Sequence, residues 1–235
     1  MALNTLPSSE DKHVAVRTMF DRIAPRYDRM NRLLTAGLDQ RWRRAALDAI
    51  RVGAGDRVLD LATGTGDLAE LAAARGAHVV AVDFAGEMLR NARRRGIPAA
   101  LVQADAERLP LADGSATVAV CGFALRNFVS LPDIFRELAR VLAPGGRIAL
   151  IDVDRPTTPL IRQGHTFYFD RVVPFIGGLL SDRAAYAYLP ASTAYLPPEA
   201  EMLALLRRAG FEDVRRTAHL LGAVQTLTGV RGKTP

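Results

Sequence analysis

The sequence predicts an α/β protein with a mostly parallel sheet covered by helices on both faces, and three observations carry that prediction. An apolar run, Arg57–Ala62, follows the turn VGAG and is succeeded by strand-like runs at 78–83, 99–103, 117–122 and 147–153. Helical patterns at 66–75, 85–95 and 132–142 separate these runs, and strict strand–helix alternation is the signature of parallel pairing with crossover helices. The third observation is bulk: 235 residues, 49% hydrophobic and 24% charged, are enough to bury one sizeable core and too well mixed to stay disordered.

The flanks read as helical and then mixed. Val16, Met19, Phe20 and Ile23 recur at helix-face spacing up to a break at Pro25; further helical segments run from Tyr27 to Leu34 and from Leu38 to Ile50, parted by Gly37. Beyond Asp154 the regularity lapses into an aromatic, Pro-rich and Gly-rich stretch, 155–198. The amphipathic run PEAEMLALLRRAG and strand-like runs at 211–217 and 222–230 complete the chain, which has no internal repeat.

Composition narrows the functional classes. No stretch reaches the ~18 apolar residues of a membrane span, and MALNTLPSSEDKHVAV lacks the charged-then-apolar layout of a signal peptide, so the chain reads as cytoplasmic. Its one cysteine, Cys121, sits in TVAVCGF as a buried hydrophobe. The four histidines are scattered, so no metal-ligand cluster emerges. Residues 1–51 hold ten basic and six acidic side chains of a chain with net charge +6. A basic face of this kind suits an anionic membrane surface or is simply solvated; nucleic acid ranks below because no RNA-binding signature accompanies it.

The chemistry concentrates in VLDLATGTGDLAEL, residues 58–71, where a strand runs into a glycine turn at Gly64 and Gly66 and then a helix. Glycines let the backbone approach a ligand, and a helix start offers unpaired N–H groups. Alone the motif is ambiguous, because Gly64–Ala69 also fits the dinucleotide pattern GxGxxA of an NAD-dependent oxidoreductase. Three carboxylates add information. Asp83 ends the second strand, where it can accept from ribose hydroxyls; Asp105 follows the third strand, where it or the Ala106 amide can read an adenine edge; Asp60 lies within the first strand. Several acids suit a cationic sulfonium better than a pyrophosphate, which tips the reading from NAD to S-adenosylmethionine.

With these residues in place the chain resembles the ubiquinone/menaquinone biosynthesis C-methyltransferase family from about Val16 to Lys233. The N-terminal signature of that family is matched by Tyr27, Asp28, Met30, Asn31, Gly37 and Trp42, with Thr35 in place of serine and Asp39 in place of histidine. Its FGLRN segment corresponds to Phe123–Asn127 with Ala124 for glycine, and VLAPGGRIALIDVD carries Asp152 for glutamate and Asp154 for serine. Tyr188, Ser192 and Pro197 match a later segment. The resemblance implies a Rossmann-like class I methyltransferase fold, a seven-stranded mostly parallel sheet in the order 3-2-1-4-5-7-6 with an N-terminal helical cap. It divides the single domain into a cap (1–52), a cofactor-binding core (53–154), a substrate-covering insertion (155–198) and a C-terminal helix with strands (199–235). It further implies methyl transfer to a ring carbon of a reduced polyprenyl quinone precursor. Gly122 stands where ubiquinone-forming members carry a serine, which favours demethylmenaquinol over a ubiquinone precursor as substrate. A basic RNA-binding protein on the same fold is the rival from another class, with Tyr27 and Trp42 as its only stacking residues.

The expected cofactor set is Tyr27, Asp60, Gly64, Thr65, Gly66, Asp83, Asp105 and Ala106, with no metal. A quinol ring carbon becomes nucleophilic once the neighbouring hydroxyl, of pKa near ~10, gives up its proton. Arg126 is the candidate to hold the phenolate and Asp39 or Asp152 to take the proton, with Asn127, Tyr27 and Tyr188 as further polar candidates. The apolar segment Phe167–Leu180 is expected to shelter the polyprenyl tail through Phe167, Phe169, Phe175, Ile176 and Leu179, hinged at Gly177 and Gly178. The sequence sets no oligomeric state.

Overall fold

The computed structural model describes residues 9–156, 158–168, 171, 173, 175, 185, 188 and 191–233. Phe169, Ile176, Gly177, Gly178 and Leu179 of the expected tail channel lie outside the described residues.

Three helices, α1 (Ser9–Ile23), α2 (Tyr27–Thr35) and α3 (Leu38–Ala49), precede the sheet. A short 3-10 turn, Ala24–Arg26, links α1 and α2 with Pro25 in its first positions, where a missing N–H is tolerated. Ala36 and Gly37, both left-handed, separate α2 from α3. The core alternates β1 (Arg57–Leu61), α4 (Asp67–Ala73), β2 (His78–Asp83), α5 (Gly86–Arg94), β3 (Ala100–Gln103), β4 (Ala116–Gly122), α6 (Leu131–Val141) and β5 (Leu142–Val153). Then come α7 (Pro159–Phe167), α8 (Glu199–Arg208), β6 (Phe211–His219) and β7 (Val224–Arg231).

The seven strands lie in the order β3-β2-β1-β4-β5-β7-β6, the order expected, with β7 antiparallel to both β5 and β6. Strand order reverses between β1 and β4, so a crevice opens beyond their C-terminal ends; that is where open α/β sheets bind ligands. Every expected core element is present with its ends moved by a residue or two. The exception is β5, which begins at Leu142 because Leu142 still pairs with Ala116 across a register shift. The stretch 155–198 is less irregular than its composition suggests, since it contains α7 and a 3-10 turn at Thr193–Tyr195.

Helix α6 illustrates how local sequence builds the scaffold. Ser130 caps it by accepting from the Asp133 amide, Pro132 sits in the first turn, and Leu131, Ile134, Phe135 and Leu138 repeat at 3–4-residue spacing. These four side chains are buried against β4 and β5, and each fully buried one contributes about 2 kcal/mol of transfer free energy. The opposite face of the sheet is covered by α3 and α4 through Trp42, Ala46, Leu47, Leu68 and Ala72. A third apolar cluster joins Val16, Met19, Ile23 and Met30 of the first two helices and their linking turn to Met88 of α5 and to Val173, Ala185 and Tyr188. The N-terminal helices are thereby fastened over the crevice.

Candidate active site

The crevice contains two cavities that meet. The first, with about 760 Å3 of empty space counting the open solvent at its mouth, is floored by strand ends and roofed by the cap: Leu61, Ala62 and Gly64 at the end of β1, Asp83 and Phe84 at the end of β2, Ala104–Glu107 after β3, and Gly122–Ala124 at the end of β4, under His13, Phe20 and Tyr27. Asp83 ties these pieces together. Its Oδ2 accepts from the Gly64 amide at 2.7 Å and its Oδ1 from the Ala85 amide at 2.8 Å, so one carboxylate fixes the glycine loop and the start of α5. Burial pushes its pKa up to about 6, against the Ala85, Gly64 and Phe84 amides that pull it down. Asp105 accepts from the Glu107 amide at 2.9 Å through Oδ1, while its Oδ2 lies 3.0 Å from His13 Nε2 of α1.

Asp60 is buried completely beside this pocket. Its Oδ2 accepts from Thr63 Oγ1 at 2.6 Å and from the Ala69 amide at 2.9 Å, while Oδ1 has no hydrogen-bond partner. Desolvation raises its pKa to about 7.

The structure separates the glycine-loop residues that the sequence groups. Gly64, at φ +59°, lines the pocket with Tyr27 Cε1 3.9 Å from where a Cβ would stand. Gly66 faces elsewhere: at φ +93° its Cβ would lie 2.8 Å from Ile97 Cγ1, so packing of the loop, and not ligand approach, demands this glycine. Thr65 also points away. Its hydroxyl donates to Asp28 Oδ1 and accepts from Arg95 Nη1, which reaches Asp67 Oδ1 at 2.8 Å as well. Neither Thr65 nor Gly66 lines the cavity.

The second cavity, with about 1500 Å3 of empty space counting the open solvent at its mouth, shares Tyr27 and Phe123 with the first. Its walls are mostly apolar, from Leu34 and Leu38 through Trp42 to Ile161, Tyr168, Val173 and the turn Leu220–Leu221. Among the described residues its polar groups are few: Asn31, Asp39, Arg43 and Arg126, besides Tyr27 and Thr35. Tyr27 hydrogen-bonds Asn31, and burial raises its pKa against the pull of the Arg43 and Arg126 guanidiniums. The Arg43 guanidinium lies 4.9 Å from the Phe123 ring centroid. Phe123 has φ +63°, and its neighbours across the site, Ala36 and Ala62, have φ +50° and +52°; left-handed backbone at non-glycine residues concentrates at functional sites.

The three expected catalytic residues fall into two ion pairs. Arg126 and Asp39 line the second cavity, whereas Asp152 lines neither. Asp152 is fully buried; Oδ1 receives the Arg126 guanidinium and the Val153 amide, and Oδ2 receives the Arg126 amide at 3.1 Å. Asp39 accepts from Thr35 Oγ1 at 2.9 Å and from Gln40 and Arg43. Tyr188 is buried with its hydroxyl unpartnered, outside both linings. The expected tail-channel residues Phe167 and Phe175 line neither cavity and are largely solvent-exposed, at 65% and 73%; Tyr168 and Val173 take the inward places. Sequence reading missed His13, Asn31, Arg43 and Phe123 as lining residues. Two of them carried a legible signal: Asn31 lies one helical turn after Tyr27, and Arg43 one turn after Asp39. Among the described residues no group of three or more His, Cys, Asp or Glu is placed to hold a metal.

The fold matches solved methyltransferases. A S-adenosylmethionine-dependent methyltransferase from Aquifex aeolicus superposes with a TM-score of 0.61 at 18% identity, over 86% of this chain and 97% of that one. The sheet order and its helical layers are those of the Rossmann-like class I methyltransferase fold. Residues 7–231 match the ubiE/COQ5 methyltransferase family, and the chain belongs to that family. It is 43% identical over 221 residues to the ubiquinone/menaquinone biosynthesis C-methyltransferase UbiE of Syntrophotalea carbinolica, covering 92% of this chain and 93% of the relative. It is 46% identical over 200 residues to the demethylmenaquinone methyltransferase of Thermus thermophilus, covering 82% and 91%.

Proposed function

We propose that the enzyme transfers a methyl group from S-adenosylmethionine to a ring carbon of demethylmenaquinol. The observation that carries this reading is the meeting of two unlike cavities, one edged by carboxylates and one apolar, at Tyr27 and Phe123. The first fits a cationic donor. Asp83 lines the pocket with acceptor capacity beyond its backbone donors for a ribose hydroxyl, Asp105 and the Ala106 amide stand where an adenine edge would be read, and Asp60 Oδ1, behind the lining, is a buried acceptor with no hydrogen-bond partner. Bound there, S-adenosylmethionine supplies an electrophilic methyl group.

In the second cavity, Arg43 and Arg126 stabilise negative charge on the quinol oxygen, and Tyr27 orients the ring at the junction. Asp39 is the carboxylate among the described residues of the cavity wall and takes the quinol hydroxyl proton; methyl transfer leaves S-adenosylhomocysteine, and the methylated carbon then loses its ring proton as the hydroxyl is restored. Asp152 has a different role from the base considered on sequence grounds: it fixes Arg126 and balances its charge, because it lines neither cavity. The insertion after β5 covers the substrate. Thr65 and Gly66 act on the cofactor through the shape of the loop, by their contacts to Asp28, Arg95 and Ile97. The resemblance to named menaquinone enzymes and Gly122 in the cofactor pocket both favour the menaquinone precursor; a Cβ at Gly122 would meet Leu68 Cδ1 at 3.0 Å, so a serine there would displace that side chain.

The test is incubation of the purified enzyme with methyl-labelled S-adenosylmethionine and either short-tailed demethylmenaquinol or a polyprenyl methoxybenzoquinol. Label on the naphthoquinol ring carbon is expected. Exclusive labelling of the benzoquinol would assign the enzyme to the ubiquinone branch, and labelling of neither would end this reading.

A further inference from the structure

We infer that the rim of the second cavity is a membrane-docking surface that seats on anionic phospholipid, so that the substrate passes from the bilayer into the cavity. The inference rests on the apolar-tailed substrate proposed above and adds the surface by which it is reached. Eight large apolar side chains are conspicuously exposed among the described residues: Val14, Leu33, Val129, Leu160, Phe167, Phe175, Leu220 and Leu221. Six of these belong to segments that line the second cavity. Leu33 neighbours Leu34 on α2; Leu160 and Phe167 stand on α7, whose Ile161 and Gly164 face inward; Phe175 follows Val173; Leu220 and Leu221 form the turn before β7. Scattered apolar exposure needs no explanation, but a cluster around the mouth of an apolar cavity marks a contact surface.

The turn Leu220-Leu221-Gly222 stands at the mouth, lining the cavity while remaining open to solvent. Both leucines adopt left-handed backbone, at φ +46° and +55°, with side chains 53% and 73% exposed. Charge names the partner. The same segments carry Arg29, Arg162 and Arg171, all exposed, with Arg26 just before α2 and Arg32 paired to Asp67, while α7 has no acidic residue and α2 has only Asp28, which is engaged by Thr65 and Arg95. Arginines beside projecting leucines and phenylalanines match a layer of anionic headgroups over acyl chains. No described helix is long and apolar enough to cross a membrane, so the contact is interfacial.

The test uses the full chain and its L160E/F167E variant, neither substituted side chain lining a cavity, with R29E/R162E as a second variant that spares apolar packing. Binding to phosphatidylcholine vesicles with and without phosphatidylglycerol is read by cosedimentation, solution mass by light scattering, and catalysis by methylation of a tail-less naphthoquinol without vesicles. Wild type is expected to bind phosphatidylglycerol vesicles and release them at high salt. Both variants should bind at least about tenfold more weakly while keeping ring methylation. Wild type that ignores these vesicles, or variants that bind them as wild type does, would overturn the inference. So would a wild-type dimer made monomeric by L160E/F167E, which would make the patch a contact between copies. Failure of every form to methylate the ring analogue would overturn the substrate reading instead, and the vesicle result would still decide the docking surface.

Discussion

The two cavities are made of different material. The first is set by backbone: strand ends, a glycine loop and a carboxylate, Asp83, whose oxygens are held by main-chain amides. The second is set by side chains from distant segments, α2, α3, α7 and the Leu220–Leu221 turn, with two arginines each fixed by a buried aspartate. Geometry built on strand ends changes little when surface residues change, so one fold can keep its donor site while the acceptor cavity is rebuilt for another substrate.

The largest expected effect lies in the side-chain-built cavity. Arg126→Ala leaves Asp152 buried without its counter-charge, and loss of about 3–5 kcal/mol of stability, with loss of activity, is expected in denaturant titrations and assays. Pairing Arg126→Met with Asp152→Asn should return stability but not turnover. Recovery of turnover as well would exclude Arg126 from the chemistry.

Next is a pH effect on the backbone-built pocket. The folded-state pKa of Asp60 is raised from its ordinary 3.8 to about 7, so between about pH 4 and 7 the folded protein holds a proton that the unfolded chain has lost. Its contribution is complete below pH 4 and disappears as pH rises through 7, a change on the order of 4 kcal/mol for a fully buried group. Asp60→Asn should flatten most of this decline, leaving the smaller share of Asp83. An unchanged slope in unfolding curves taken at pH 5 and pH 8 would show that Asp60 is ionised in the fold.

A smaller, purely local effect concerns the loop. Gly66→Ala should cost about 1–2 kcal/mol from left-handed strain, plus the clash with Ile97, and Ile97→Ala should relieve the clash but not the strain. Thermal unfolding of the two single variants and the double variant separates the terms. Full rescue would mean that the turn tolerates a side chain.

The same contrast explains what was legible in the sequence. Strand order, the switch point and the positions of Asp83, Asp105 and Gly64 follow from alternation and from residues at strand ends, which local pattern encodes. The pairing of Arg126 with Asp152 is a contact over 26 residues, and the reach of His13 to Asp105 spans the cap and the sheet; neither leaves a periodic trace. Gly66 and Thr65 show a subtler limit. A glycine motif reports that space is needed without saying whether ligand or Ile97 fills it. Phe167 and Phe175 were expected to line a tail channel because their segment is unusually apolar, but an apolar run does not say which of its side chains turn inward: Tyr168 and Val173 do, and these two face solvent.

The division between the two cavities is tested most directly by titrating wild type, Asp83→Asn and Trp42→Ala with S-adenosylhomocysteine in a calorimeter and measuring the KM of each for short-tailed demethylmenaquinol. Asp83→Asn is expected to weaken nucleoside binding by about 1–3 kcal/mol while leaving quinol KM near wild type. Trp42→Ala should raise quinol KM and leave nucleoside affinity unchanged. Equal loss of nucleoside affinity in both variants would contradict the division and make the crevice a single cooperative site.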